Sequence, residues 1–233
     1  MADVVFIVDT STSIAQENFQ KVKNFLSSLV SSLDIGLDMI RVGLAQYSDE
    51  AYQVFLLNQY LLKSDVLDQI GNLPYRGGET YTGRALDFVS TRYFTESAGS
   101  RAKGYVPQLA VLITSGESND EVEQPAKKLR YRGISIYVVG IGIQNTTELQ
   151  QIASKPFRRY LYSIGSFNDL PDLSTRLLQN FCIAIESQIQ GKELSLYLCH
   201  FSFLFHVIVK IECRNVVLVL MLFCTTVAVM YLH

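Results

Sequence analysis

Five consecutive polar residues, Asp9-Thr10-Ser11-Thr12-Ser13, follow directly on the apolar run Val4–Val8. In a tight loop a carboxylate and two hydroxyls at alternate positions (Asp9, Ser11, Ser13) can converge, and a helix starting just beyond adds free backbone N–H groups. Oxygen-only donors of this kind suit a hard cation, Mg²⁺ or Mn²⁺, which keeps several of its waters. The same residues also suit an Asp/Ser N-cap on a helix over residues 14–33. Two more loops have unusual composition. Gly77-Gly78-Glu79-Thr80-Tyr81-Thr82-Gly83 combines close backbone approach with the Thr80 hydroxyl, and Thr82 stands where it can cap the next helix. Neither GxxxxGK[ST] nor GxGxxG spacing is present, so a phosphate cradle is a weak reading. The third loop is Thr114-Ser115-Gly116-Glu117-Ser118-Asn119-Asp120, with Asn119 or Asp120 placed to cap a helix over 121–132.

Other chemistries find little support. The first His is His200, and the four Cys (Cys182, Cys199, Cys213, Cys224) lie late in the chain without metal-ligand spacing, so neither a Cys/His zinc site nor a Ser/His/Asp triad is supported. A hydrolase using Asp9 as nucleophile wants a second acid two residues on, where Ser11 stands. With 20 basic and 22 acidic residues the chain offers no basic stripe for nucleic acid. Lys127, Lys128, Arg130 and Arg132 read as a solvated helix face beside Arg158-Arg159, with a polyanion contact as the lesser alternative. Asn145-Thr146-Thr147 is a glycosylation sequon or an ordinary helix cap.

The elements that must position these loops can be read from periodicity. Val4–Val8 and Leu109–Ile113 have the unbroken apolar character of strands buried on both faces. Arg41–Tyr47 and Ala51–Phe55, separated by Ser48-Asp49-Glu50, form an antiparallel hairpin. Ile134–Val139 and Tyr160–Tyr162 complete six strands. Helical spacing covers 14–33, 62–70, 82–94, 121–132, 147–153 and 168–185. Such alternation implies a doubly wound α/β fold: a mostly parallel six-stranded sheet, one antiparallel edge strand and helices on both faces. Ligands then bind at the carboxyl ends of strands, where the loops after Val8, Leu73 and Ile113 are expected.

Taken together, DxSxS at 9–13, GGxTxTG at 77–83 and LITxGxSxD at 112–120 resemble the von Willebrand factor type A domain, as do YSD at 47–49 and IASKP at 152–156. The resemblance spans residues 3–187, and its phrasing is most similar to A domains of collagen type VI alpha chains. It implies a non-enzymatic matrix or cell-adhesion module that binds proteins such as collagens through a metal-ion-dependent adhesion site. Ser11, Ser13 and Thr80 would hold Mg²⁺ through hydroxyls, Asp9 would act through water, and a partner carboxylate would complete the octahedron. Ser115 stands where the family has Asp. Losing one of two carboxylates predicts a weak or vacant site, unless Glu79 or Glu117 supplies the charge through water.

Composition changes near Gly191. Residues 1–190 hold 17 basic and 20 acidic side chains, whereas 191–233 hold five charges in all. This divides the chain into a domain over 1–190 and a hydrophobic tail over 191–233. Residues 194–232 are long enough for a membrane anchor, and the alternative is an aberrant C-terminus. The N-terminus shows no basic region, and Val4–Val8 is too short for a signal-peptide core. The family resemblance therefore implies extracellular matrix, while the N-terminus makes an intracellular or tail-anchored membrane location the alternative; the alternative function is a truncated or tail-anchored product without independent binding activity.

Overall fold

The computed structural model describes residues 1–183 and 185. The expected boundary at Gly191, the tail over 191–233 and its candidate span at 194–232 lie outside the described residues. Among the described residues no helix is long and apolar enough to cross a membrane.

Six strands form one sheet: β1 (Ala2–Asp9), β2 (Ile40–Tyr47), β3 (Ala51–Phe55), β4 (Gln108–Thr114), β5 (Ile134–Ile141) and β6 (Leu161–Ile164). Their order is β3-β2-β1-β4-β5-β6, parallel throughout except for the β2–β3 edge pair. The doubly wound sheet with one antiparallel edge strand is thus as the sequence implies. Every residue of β1 and β4 is buried, so both faces of the sheet centre are covered, which is why these strands carry no alternating polar residues. The helices are α1 (Gln16–Ser31), α2 (Lys63–Gly71), α3 (Thr82–Arg92), α4 (Glu123–Tyr131), α5 (Thr147–Ile152), α6 (Phe157–Tyr160) and α7 (residues 170–183). From β1 the chain runs to β2 on one side and later returns to β4 on the other. The crevice between the C-terminal ends of β1 and β4 is therefore the topological switch point.

Several local expectations need correction. The helix expected over 14–33 begins as a separate 3₁₀ turn, Thr12–Ile14, and α1 starts only at Gln16. The break is at Ala15, which takes φ 55°, a left-handed conformation that strains any residue with a Cβ. The strand expected at 160–162 is shifted to Leu161–Ile164, because Phe157–Tyr160 turns helical first. The loop after Leu73 follows α2 rather than a strand.

The basic run on α4 is a solvated face only in part: Lys128 and Arg132 are exposed, yet all four side chains are also engaged by neighbouring groups. Arg130 donates to the carbonyls of Gln151 and Ile152 at the end of α5, and Arg132 donates to Ser90 and Phe94 at the end of α3. Lys127 and Lys128 pair with Glu123 and Asp87. These side chains knit three helices together, and the arginines satisfy carbonyls left open at helix ends.

At the N-terminal edge of the sheet Asp3 is fully buried. It accepts from Arg101 Nε (2.8 Å), the Arg101 backbone N–H (2.7 Å) and Gln108 Nε2 (2.7 Å). The same guanidinium donates to the carbonyls of Ala2, Leu37 and Met39. One arginine thus neutralises the carboxylate and closes the bottom of the sheet.

Candidate metal centre

Asp9 is the last residue of β1 and has no exposed surface. Its Oδ1 accepts the Ser11 backbone N–H at 2.8 Å. Its Oδ2 accepts the Ser13 hydroxyl at 3.0 Å, the Thr114 hydroxyl at 3.2 Å and the Ser115 N–H at 3.4 Å. Ser11 Oγ lies 2.8 Å from both Ser13 Oγ and Thr80 Oγ1, and Ser115 Oγ donates to Ser13 Oγ at 3.1 Å. The structure therefore brings Asp9, Ser11, Ser13, Thr80 and Ser115 into one hydrogen-bonded cluster. Asp9 and Ser11 form its floor, and Ser13 faces solvent.

Three backbone contacts hold the loops in register. Gly77 N–H donates to Thr10 O, Thr12 N–H to Gly78 O, and Asn119 N–H to Thr80 O, at 2.8–2.9 Å. Two glycines are required by close approach. A Cβ on Gly78, already at φ 87°, would lie 2.3 Å from Asp49 Oδ2, and one on Gly116 would lie 2.9 Å from Ser13 Cβ and 3.2 Å from Thr80 Oγ1.

The capping roles turn out differently from the sequence reading. Neither Ser11 nor Ser13 caps α1, whose N-cap is Ala15. Thr82 is the first residue of α3 and its hydroxyl meets the Tyr47 phenol at 3.1 Å. Asp120 caps α3 across the loops, accepting the N–H groups of Gly83 and Arg84 at 2.8 Å, not the helix that follows it in sequence. Glu79 is occupied with Asn119 Nδ2 and Glu117 is exposed, so neither is hydrogen-bonded into the hydroxyl cluster.

Sequence reasoning named Thr114, Gly116 and Tyr47 within motifs but gave them no role, and it missed Glu148. Burial holds the Tyr47 phenol well above its ordinary range, with the charge of Asp9 adding to the effect, so it stays a neutral donor behind the site. Glu148, on α5, accepts the Ser118 N–H with both oxygens at 3.1 Å. Burial pushes its carboxyl up, the Ser118 bond opposes this, and Glu117 and Asp120 add repulsion. LITxGxSxD contains Thr114 and Gly116, and YSD supplies the rest of this shell apart from Glu148: Tyr47 backs the site, Ser48 O accepts the Tyr81 N–H and Asp49 accepts the Glu79 N–H.

A hydroxyl cluster at the switch point, built from DxSxS, a threonine and a third strand-end loop, agrees with the family comparison. Residues 3–176 match the model of the von Willebrand factor type A domain. The chain belongs to that family. This A domain is 52% identical over 189 residues to the collagen alpha-4(VI) chain of Mus musculus, a match covering 81% of this chain and 8% of that one. Against Matrilin-2 of Mus musculus it is 34% identical over 185 residues, covering 79% and 19%. The A domain thus spans a small fraction of these relatives. Among solved structures, proximal thread matrix protein 1 from the mussel byssus, with a zinc-occupied MIDAS motif, superposes with a TM-score of 0.73 at 29% identity, covering 78% of this chain and 48% of that one.

The donor chemistry fits a hard cation. Adjacent ligands of an octahedral Mg²⁺ at about 2.1 Å stand about 3 Å apart, and the Ser11–Ser13 and Ser11–Thr80 oxygens are 2.8 Å apart. Among the described residues no group of three or more His, Cys, Asp or Glu is placed to share a metal, and Asp9 is the one carboxylate in the cluster.

Proposed function

We propose that this chain is a non-enzymatic protein-binding module of the extracellular matrix, docking its partner on the end of the sheet that carries Asp9, Ser11, Ser13, Thr80 and Ser115. The observation that carries this reading is the convergence of those five residues from three loops at the switch point of an A domain whose relatives include collagen VI chains. Ser11, Ser13 and Thr80 would hold Mg²⁺ or Mn²⁺, with Asp9 acting through Ser13 and water, and the ion would supply positive charge to a partner carboxylate. With Ser115 in place of a second carboxylate, that cation is held weakly.

Collagens and other matrix or cell-surface proteins are the partners this chemistry and kinship favour. The binding domain extends over 1–190, with 191–233 a separate apolar segment. A non-catalytic role is supported by Asp9 itself, which is buried with both oxygens engaged and so cannot attack a substrate. Extracellular placement would also allow a glycan on Asn145, which is exposed in the turn before α5, its Oδ1 accepting the Thr147 N–H at 3.1 Å.

The test is binding of the full chain to immobilised collagens and other matrix proteins, measured by surface plasmon resonance. Ser13→Arg, which fills the mouth of the cluster, is expected to abolish binding, whereas Leu37→Ala at the opposite end of the sheet leaves it intact. Retained binding by Ser13→Arg, or loss with Leu37→Ala, places the partner elsewhere.

A further inference from the structure

The proton count of the cluster decides more than its oxygen positions do. A hydroxyl has one proton to give and two lone pairs to accept with. Ser13 gives its proton to Asp9 Oδ2 at 3.0 Å, so it can only accept from its other neighbours. Ser115, 3.1 Å away, donates into one lone pair of Ser13 Oγ. Ser11, 2.8 Å away, must donate into the other. Ser11 has then spent its proton, so Thr80 donates to Ser11. Every proton in the chain Thr80→Ser11→Ser13 points toward Asp9, and Ser13 is saturated. Among the described residues the buried side-chain atom left without a partner is Gln46 Oε1, outside the cluster.

A cation binds oxygen through the same lone pairs that accept protons. To ligate one, Ser13 must first release a donor, and the solvent-side donor is Ser115. An aspartate at that position has no proton to give at neutral pH and would leave the lone pair open. It would also face Asp9, since the Ser115 backbone nitrogen is 3.4 Å from Asp9 Oδ2.

We infer that Ser115 is an internal stand-in for the metal: its hydroxyl fills the coordination position on Ser13 and locks the first and third loops together without a cation. The inference rests on reading the cluster as a cation site, and it makes the binding face preorganised in the absence of Mg²⁺. Where the resemblance implies an Asp, Ser115 offers a donor in place of an acceptor, which is more than the deletion of a charge.

The experiment compares thermal midpoints of the full chain in EDTA and in millimolar Mg²⁺ for the unsubstituted protein, Ser115→Ala and Ser115→Asp, with calorimetric titration of Mg²⁺ alongside. The unsubstituted protein is expected to melt at the same temperature in both. Ser115→Ala should fall by about 2–4 °C in EDTA, the equivalent of one hydrogen bond in a domain of this size. Ser115→Asp should be destabilised in EDTA by the facing carboxylates, recover in Mg²⁺, and bind the ion at least about tenfold more tightly than the parent. A Mg²⁺ response of the unsubstituted protein equal to that of Ser115→Asp overturns the inference, as does a Ser115→Ala midpoint unchanged in EDTA. If Ser115→Ala is destabilised while Ser115→Asp ignores Mg²⁺, the lock stands and the cation reading of the cluster falls.

Discussion

Asp3 and Asp9 stand six positions apart on the same strand, and neither has any exposed surface. Asp3, at the closed end, meets a guanidinium, a backbone N–H and an amide. Asp9, at the open end, meets two hydroxyls and two backbone N–H groups, all uncharged. The first carboxylate is neutralised inside the fold, and its charge is spent on closing the sheet. The second has no counter-ion within the fold and meets only oriented dipoles, next to exposed Ser13. A buried carboxylate with a built-in counter-ion is architecture; one satisfied only by dipoles is available to an external positive charge.

The two ends should therefore answer mutation differently. Arg101→Ala leaves Asp3 buried and unpaired, and should cost about 3–5 kcal/mol in urea-unfolding free energy. Asp9→Asn removes the open-end charge while keeping the shape, and should cost about 1–3 kcal/mol, the range for disturbing a buried hydrogen-bonded group. A cost for Asp9→Asn as large as that for Arg101→Ala would break the comparison, because Asp9 would then be structural too.

The smallest effect belongs to Glu148, behind the third loop. Burial raises its carboxyl in the folded state, so the fold binds its proton more readily than the unfolded chain does. Its stabilising contribution is present below the unfolded carboxylate range near about pH 4 and is lost as pH rises through the raised folded value. Glu148→Gln keeps an acceptor for the Ser118 N–H, and should raise the thermal midpoint slightly at neutral pH with no difference in acid. A neutral-pH loss instead would mean that the charge itself holds the loop.

Much of this was legible in the chain. Unbroken runs such as Val4–Val8 and Leu109–Ile113 can only be strands covered on both faces, and their alternation with helical spacing implies a parallel, doubly wound sheet. DxSxS has local spacing and was legible directly, whereas Thr80 and Ser115 joined it only through the family resemblance, because they lie 69 and 102 positions from their partners Ser11 and Ser13. Capping was misread because Asp120 looks, in sequence, like a cap for α4, whereas the folded loops carry it to α3. The reach of Arg130 and Arg132 was not legible because the carbonyls they satisfy belong to helix ends 21 to 42 residues away.

What the sequence determined by itself was the order of elements, the covered sheet and the chemical types gathered at its open end. These follow from periodicity and short-range spacing, which the backbone imposes. What only the tertiary structure decided was the pairing of charges and the direction of protons: that Asp3 finds Arg101, that Glu148 holds Ser118, and that Ser115 donates into Ser13. Those depend on contacts between residues 30 to 102 positions apart. No local pattern specifies such contacts, because hydrogen bonds and ion pairs are set by proximity in space, which only the packed sheet and its crossovers supply.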